Sequence, residues 1–264
     1  MAQISSITKV GKTEPFELQV ARGQISWHYP QFKFGFNPDV DNALETVWAE
    51  GGLYGYLSAA SVLKVSSSST DDAAAGTGAR TVQLYGLDAD YNEINEIVTL
   101  NGQTSVNSVN SFLRINRMVI RSAGSGEINA GVIYAGTGTV TSGVPANKYA
   151  TIAIGDGQTL MALWTVPAGY TAYLFQTDLT AACTTSNKLL NVRIVSRPFG
   201  EVFQIKDKFG MGVGGETVTQ LYQYPLKFEE KTDLEVRAIG DAGSANIQVS
   251  AGLDILYIKN DGVT

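Results

Sequence analysis

The rhythm of its turns is what most constrains this chain. Short runs rich in Val, Ile, Leu, Thr and Tyr alternate with clusters of Gly, Pro, Asn and Asp, and such runs read as strands bounded by turns. After residue 147 the candidates are Thr151–Ile154, Leu160–Val166, Tyr170–Thr177, Leu189–Val195, Val202–Lys206, Val218–Pro225, Asp233–Ala238 and Asn246–Ile258. That makes about eight strands in roughly 115 residues, the number a jelly roll requires. Pro167-Ala168-Gly169 reads as a tight turn, with Pro fixing φ and Gly free to take φ > 0. No fixed repeat period is visible, so a solenoid is set aside.

Residues 51–143 have the same texture. Val62–Val65 leads into the polar stretch Ser66–Gly78, expected to be a solvated loop. Thr81–Leu87 and Ile94–Leu100 flank Asp88-Ala-Asp-Tyr-Asn-Glu, which reads as a hairpin; Phe112–Arg121 and Glu127–Tyr134 follow, and Gly136–Gly143 reads as a turn. No helical periods of about a dozen residues separate these runs, so the pattern favours antiparallel sandwiches. The small polar residues of Thr139–Asn147 suggest a boundary. The expected class is therefore all-β: an N-terminal arm or first few strands over 1–50, a β-sandwich over 51–143 and a jelly-roll-like sandwich over 147–264. Whether the two β blocks are separate domains or one continuous pair of sandwiches stays open.

Within the arm, Glu17–Val20 and Gln24–Trp27 read as short and extended. Between Pro30 and Pro38, Phe32, Phe34 and Phe36 occupy every second position, so one strand face would carry all three. That face would pack on the protein's own core or on a neighbouring subunit; a sugar-binding platform is the other reading. Together with Trp27 and Tyr29, these residues make a candidate interface. Asp39–Trp48 is the one stretch with helical spacing, through Val40, Leu44 and Val47, and Gly51-Gly52 would end it.

Residue inventory narrows the chemistry. A single Cys183 excludes an intrachain disulfide framework and Cys-rich metal sites, and a single His28 excludes paired-His metal motifs. His28 reads as a packed or interface residue. A net charge of −6 argues against a general phosphate-binding surface. Arg117 and Arg121 would share one strand face with Arg114 on the other, so they form no single basic patch, and solvated surface or subunit pairing is the expected role. No apolar run approaches the ~20 residues of a membrane-spanning helix. The N-terminus shows no charged start followed by an apolar run. The reading is therefore no nucleic acid, no membrane and no cofactor.

Each motif-like piece falls short of its template. Asp88-Ala-Asp90-Tyr-Asn92 opens like a calcium loop, but Glu93 stands where Gly is required and Thr99 where the bidentate Glu belongs, so a hydrogen-bonded hairpin tip is expected and no metal site. Asp71-Asp72 reads as part of a solvated loop. Gly210-Met-Gly-Val-Gly-Gly215 and the shorter Gly-x-Gly pieces complete neither phosphate-binding fingerprint. No Gly-x-Ser-x-Gly elbow occurs, and no carboxylate pair is marked locally as catalytic. No catalytic residue is assigned.

Several segments nevertheless carry a resemblance. They are Gly51-Gly-Leu-Tyr-Gly-Tyr-Leu57, Ser66–Asp72, Gly78–Glu93, Ile97–Thr104, Gly136–Pro145, Gln158–Gly169 and Arg197-Pro-Phe-Gly200. Over roughly residues 48–258 they resemble virion structural proteins of tailed bacteriophages, marine and cyanobacterial ones especially. The resemblance implies a virion component, brings no catalytic motif and fixes no position in the particle; the expectation is a non-enzymatic protein assembled in the host cytoplasm. It would be a homo-oligomer, threefold rings included, contacting the major capsid protein or other virion proteins as a capsid-decorating cement protein. A neck or tail component, or a receptor- or carbohydrate-binding module of the tail, is the alternative.

Overall fold

In the computed structural model, residues 8–9, 12–183, 188–214, 216–241, 243 and 246–260 are described. A two-stranded hairpin of β1 (Thr8–Lys9) and β2 (Lys12–Thr13) precedes one short helix, α1 (Phe16–Ala21). Glu17–Val20, expected to be extended, lies in this helix: the Pro15 carbonyl accepts from Gln19 N–H, and Glu17 suits the positive first turn. Gln24–Trp27 is also not a strand, since the chain turns there and Trp27 adopts φ 68°.

From His28 onward the chain is sheet. The strands β3 (His28–Val40), β13 (Tyr170–Ala182), β16 (Glu216–Phe228) and β18 (Ile247–Lys259) form one antiparallel sheet in the order β16-β13-β18-β3. Opposite it stand β12 (Leu163–Thr165), β17 (Asp233–Gly240), β14 (Leu189–Arg197) and β15 (Gln204–Gly212), in that order, with β4 (Glu45–Thr46) also on β17. If β4 and β12 count as one strand, one sheet reads sixth-third-eighth-first and the other second-seventh-fourth-fifth in chain order. That is the order of a jelly roll. Its core includes Val40, Val47, Trp164, Leu174, Val192, Ile194, Val236, Val249 and Leu253, drawn from alternating strand positions.

The second strand is interrupted at its middle. β4 pairs with Arg237 and Ala238, and β12 pairs with Asp233–Glu235. Between them Val47 N–H donates to Val236 O and Val236 N–H to Ala162 O, each at 2.9 Å. The chain thus leaves the jelly roll through Val47-Trp48 and returns through Met161-Ala162, which themselves bond through Ala162 N–H to Val47 O at 2.9 Å. Everything between is one inserted block. It contains β5 (Ser61–Ser67), β6 (Ala79–Leu87), β7 (Glu93–Thr99), β8 (Val106–Phe112), β9 (Arg114–Ala123), β10 (Ile133–Thr141) and β11 (Val144–Ile152). Sheets β11-β10-β5-β8 and β7-β6-β9 enclose Leu63, Val82, Leu84, Phe112, Met118, Ile133 and Ile152.

This topology changes three expectations. First, residues 28–40 are the opening strand of the jelly roll, bonded along β18, which favours the first-strands reading over the arm. Second, the stretch expected as a boundary is the β10–β11 hairpin: Ser142 and Gly143 turn at φ 48° and 81°, and β11 pairs back to Ile133. The glycines before that turn lie in β10, where Gly136 accommodates a bulge; a Cβ there would sit 2.1 Å from Asn147 O. Third, Asp39–Trp48 is not a helix. Val40 and Val47 are core residues of the jelly roll, and the Glu45 carboxylate accepts from Asp41 N–H, Gly52 N–H and Asn37 Nδ2 at 2.8–3.1 Å. Those bonds close a turn and satisfy amides that a helix would otherwise need.

Candidate functional site

β3 lies at a sheet edge, and its two faces differ because of what each meets. Lys33, Gly35 and Asn37 point inward and are buried. At Gly35 the strand crosses the point where the chain leaves and re-enters the jelly roll; a Cβ would lie 2.2 Å from Ala162 N and 2.4 Å from Val47 O. The bulky residues therefore take the outer face. Phe32 is 50% exposed, its ring stacks on Phe34 at 5.7 Å, and it covers Gly252 of the neighbouring strand, whose missing Cβ leaves the space. Phe32, Phe34 and Phe36 line a shallow groove with Leu160, Asp178 and Thr180.

The other two expected interface residues lie apart from this stripe. Tyr29 joins Tyr170 and Tyr257 at centroid distances of 5.8 and 5.3 Å, and Tyr257 in turn meets Trp164. Trp27 stands beneath the Lys259 ammonium at 4.9 Å. His28 packs edge-on against Phe16, and its Nδ1 lies 2.8 Å from Ser26 O.

Behind β3, between the jelly roll and the inserted block, is a cleft of about 820 Å³. Gln31, Lys33 and Trp164 form one wall; Tyr85, Glu93, Asn95, Asn116, Arg117 and Arg121 come from β6, β7 and β9. Lys33 Nζ donates to Asn116 O, and Arg117 Nη2 donates to Phe32 O at 3.1 Å. Burial, assisted by the Arg117 charge, pulls the Lys33 amine down to about 7. Alternation in Phe32-Lys33-Phe34 could have placed this lysine on the inner face. Its isolation from any carboxylate could not be read locally. Arg117 and Arg121 do share a face, that of the cleft, whereas Arg114 turns away.

Arg114 belongs to a buried network fastening the two blocks. Its Nε and Nη2 donate to the Asp233 carboxylate at 2.8 and 3.1 Å, and its Nη1 donates to Leu57 O and Leu113 O. Arg197 Nε and Nη2 donate to the same carboxylate at 3.0 and 2.5 Å, and Thr165 Oγ1 at 2.6 Å. Both guanidinium groups lie over the Tyr56 ring, at 4.9 and 4.5 Å from its centroid. Beside them Glu235 accepts from Arg237, Thr46 and Tyr56. The solvated or intersubunit role expected for Arg114 is thus replaced by an internal one.

Two acidic motifs also find their places. Asp72, expected to be solvated, is fully buried: its carboxylate accepts from Ser67 Oγ, Ala79 N–H, Ala130 N–H and Gly131 N–H at 2.6–2.9 Å. It ties the loop between β5 and β6 to the ends of those strands and to the loop before β10. At the β6–β7 tip, Asp88 accepts from Asp90 N–H and from Asn92 N–H and Nδ2, an Asx turn. Desolvation would raise the Asp88 carboxyl, but the Asn92 and Asp90 bonds hold it below its usual value. Among the described residues no group of three or more His, Cys, Asp or Glu side chains is placed to hold a metal ion.

The sequence matches no family model and no curated protein. Solved structures similar to this chain include an infectious bursal disease virus VP2 subviral particle, at 10% identity and TM-score 0.23, covering 90% of this chain and 73% of that one. The structure of infectious bursal disease virus Gt strain aligns at 11% identity and TM-score 0.27, over 94% and 79%. Naturally occurring empty particles of cowpea mosaic virus align at 8% and TM-score 0.21, over 79% and 86%. At such scores too little superposes for the likeness to carry an argument.

Proposed function

We propose that this chain is a non-enzymatic structural protein of a tailed-bacteriophage virion, a homo-oligomer that decorates the capsid surface. The observation that carries the reading is the outward stripe Phe32, Phe34 and Phe36 on the jelly-roll sheet, in a chain whose segments resemble such proteins. Protein interfaces are enriched in aromatic residues and depleted of charge at their centre, and the stripe fits a neighbouring copy. Burying the exposed half of a phenylalanine contributes on the order of 1 kcal/mol. Many copies, each bridging neighbouring shell subunits, would stabilise the assembled particle through linked binding.

The test is quantitative mass spectrometry of purified particles of the encoding virus. Hundreds of copies are expected on a decorated shell. A few to a few dozen would place the protein in the neck or tail, and its absence would refute the virion reading. For the stripe, Phe32→Ser, at the most exposed of the three positions, should cost about 1 kcal/mol of unfolding free energy for the half of its ring that is already covered, yet shift the oligomer to monomer in light scattering. An unchanged oligomer would remove the stripe from the interface.

A further inference from the structure

We propose that the cleft behind β3 binds an acidic saccharide, its carboxylate held by Lys33 and Arg117 and its hydroxyls by the surrounding side-chain amides. This does not depend on where in a particle the protein sits. Lys33 is 2% exposed and lines the cleft, and of the three hydrogens an ammonium offers, one is directed to Asn116 O. A buried cation is normally paired with a carboxylate; among the described residues no carboxylate lies within ion-pair distance of Lys33, and the charge that acts on it is the cation Arg117. An anion entering the cleft would supply the missing partner.

The remaining lining says what should carry that anion. Gln31, Asn95, Asn116 and Gln158 offer planar donors and acceptors suited to hydroxyl groups, and Tyr85 offers an aromatic surface. About 820 Å³ matches a ligand of small-molecule size, within the usual range for such sites. Charged groups lining the cleft with Lys33 are Arg117 and Arg121 from β9, Glu93 from β7 and Asp156 from the loop before β12, with Tyr85 from β6; the Tyr257 hydroxyl of β18 donates to Glu93. Glu93 and Asp156 would disfavour a polyanion and leave room for a single carboxylate.

Binding should be linked to protonation, because the ligand needs Lys33 charged while burial favours the neutral amine. Isothermal titration of the full chain with sialyllactose and with glucuronate, each carrying a single carboxylate, against lactose and hexaglutamate, tests this. Expected are binding of at least one acidic saccharide, no binding of lactose, and affinity about tenfold weaker at pH 8 than at pH 6, as for a group titrating near 7. Heats at pH 7 in buffers of different ionisation enthalpy should show proton uptake. Lys33→Met, similar in length and without the buried charge, should lose binding while remaining folded; Arg121→Gln, at an exposed position, should weaken it even if the first variant misfolds. No acidic saccharide bound at pH 6, lactose bound equally well, or affinity independent of pH would overturn the proposal. Hexaglutamate binding more tightly than either saccharide would overturn it in favour of a protein partner.

Discussion

Replacing Asp233 by Asn should loosen the attachment of the inserted block more than any other single polar change. The carboxylate accepts five bonds, four from Arg114 and Arg197 and one from Thr165. An amide of the same shape keeps one acceptor oxygen, turns an NH₂ against the remaining donors and removes the negative charge. Arg197 is partly exposed and can rehydrate; Arg114, at 7%, cannot. Breaking a buried ion pair by removing one partner costs about 3–5 kcal/mol, and Asp233→Asn should fall in that range. Arg114→Met should cost less, about 2 kcal/mol, because Asp233 retains Arg197 and Thr165. The double variant should be less destabilised than the sum, as expected within one network. Urea unfolding followed by far-ultraviolet circular dichroism and by tryptophan fluorescence measures these values, with coincident transitions required before a single free energy is quoted. A loss below about 1 kcal/mol for Asp233→Asn, or a larger loss for Arg114→Met, would refute the reasoning.

Other outcomes follow from the same coordinates. Lys33 binds its proton less tightly folded, near pH 7, than unfolded, near 10.5, so between these values the unfolded state holds more protons and stability should rise by up to about 1.4 kcal/mol per pH unit from this group. Above about pH 10 the trend should reverse, since burial raises Tyr54, Tyr56 and Tyr257 and pushes Tyr222 up to about 12; Lys33→Met should abolish the rise alone, and a rise that persists in this variant would exclude Lys33 as its source. Gly35→Ala should cost about 3 kcal/mol or more in urea unfolding, because the atoms met by the new methyl are backbone and cannot swing aside; a cost under 1 would mean the junction is looser than described. Asp72→Asn should cost about 2–4 kcal/mol and expose the loops around 68–78 and 124–132 to hydrogen exchange, with unaltered exchange there counting against its role as their common acceptor.

Strand content was written plainly in the sequence because alternation and turn residues act locally: each residue of β13, β14, β17 or β18 is chosen by which face it presents and by the turn beside it. The three-phenylalanine face of β3 was legible for the same reason, as was a hydrogen-bonded hairpin tip at Asp88. The tertiary structure decided which face looked outward, through Gly35 meeting the backbone of Val47 and Ala162. It also decided that Val40 and Val47 serve a sheet core, although their spacing suits a helix equally well. Asp72 looked solvated because a loop's composition does not reveal which amides converge on it. Arg114 and Asp233, 119 residues apart, carry no mark of each other in the chain. Local sequence specifies dihedral preference and polarity, which set elements; pairing across an inserted block of this length is settled only when long-range burial brings charged partners together out of water.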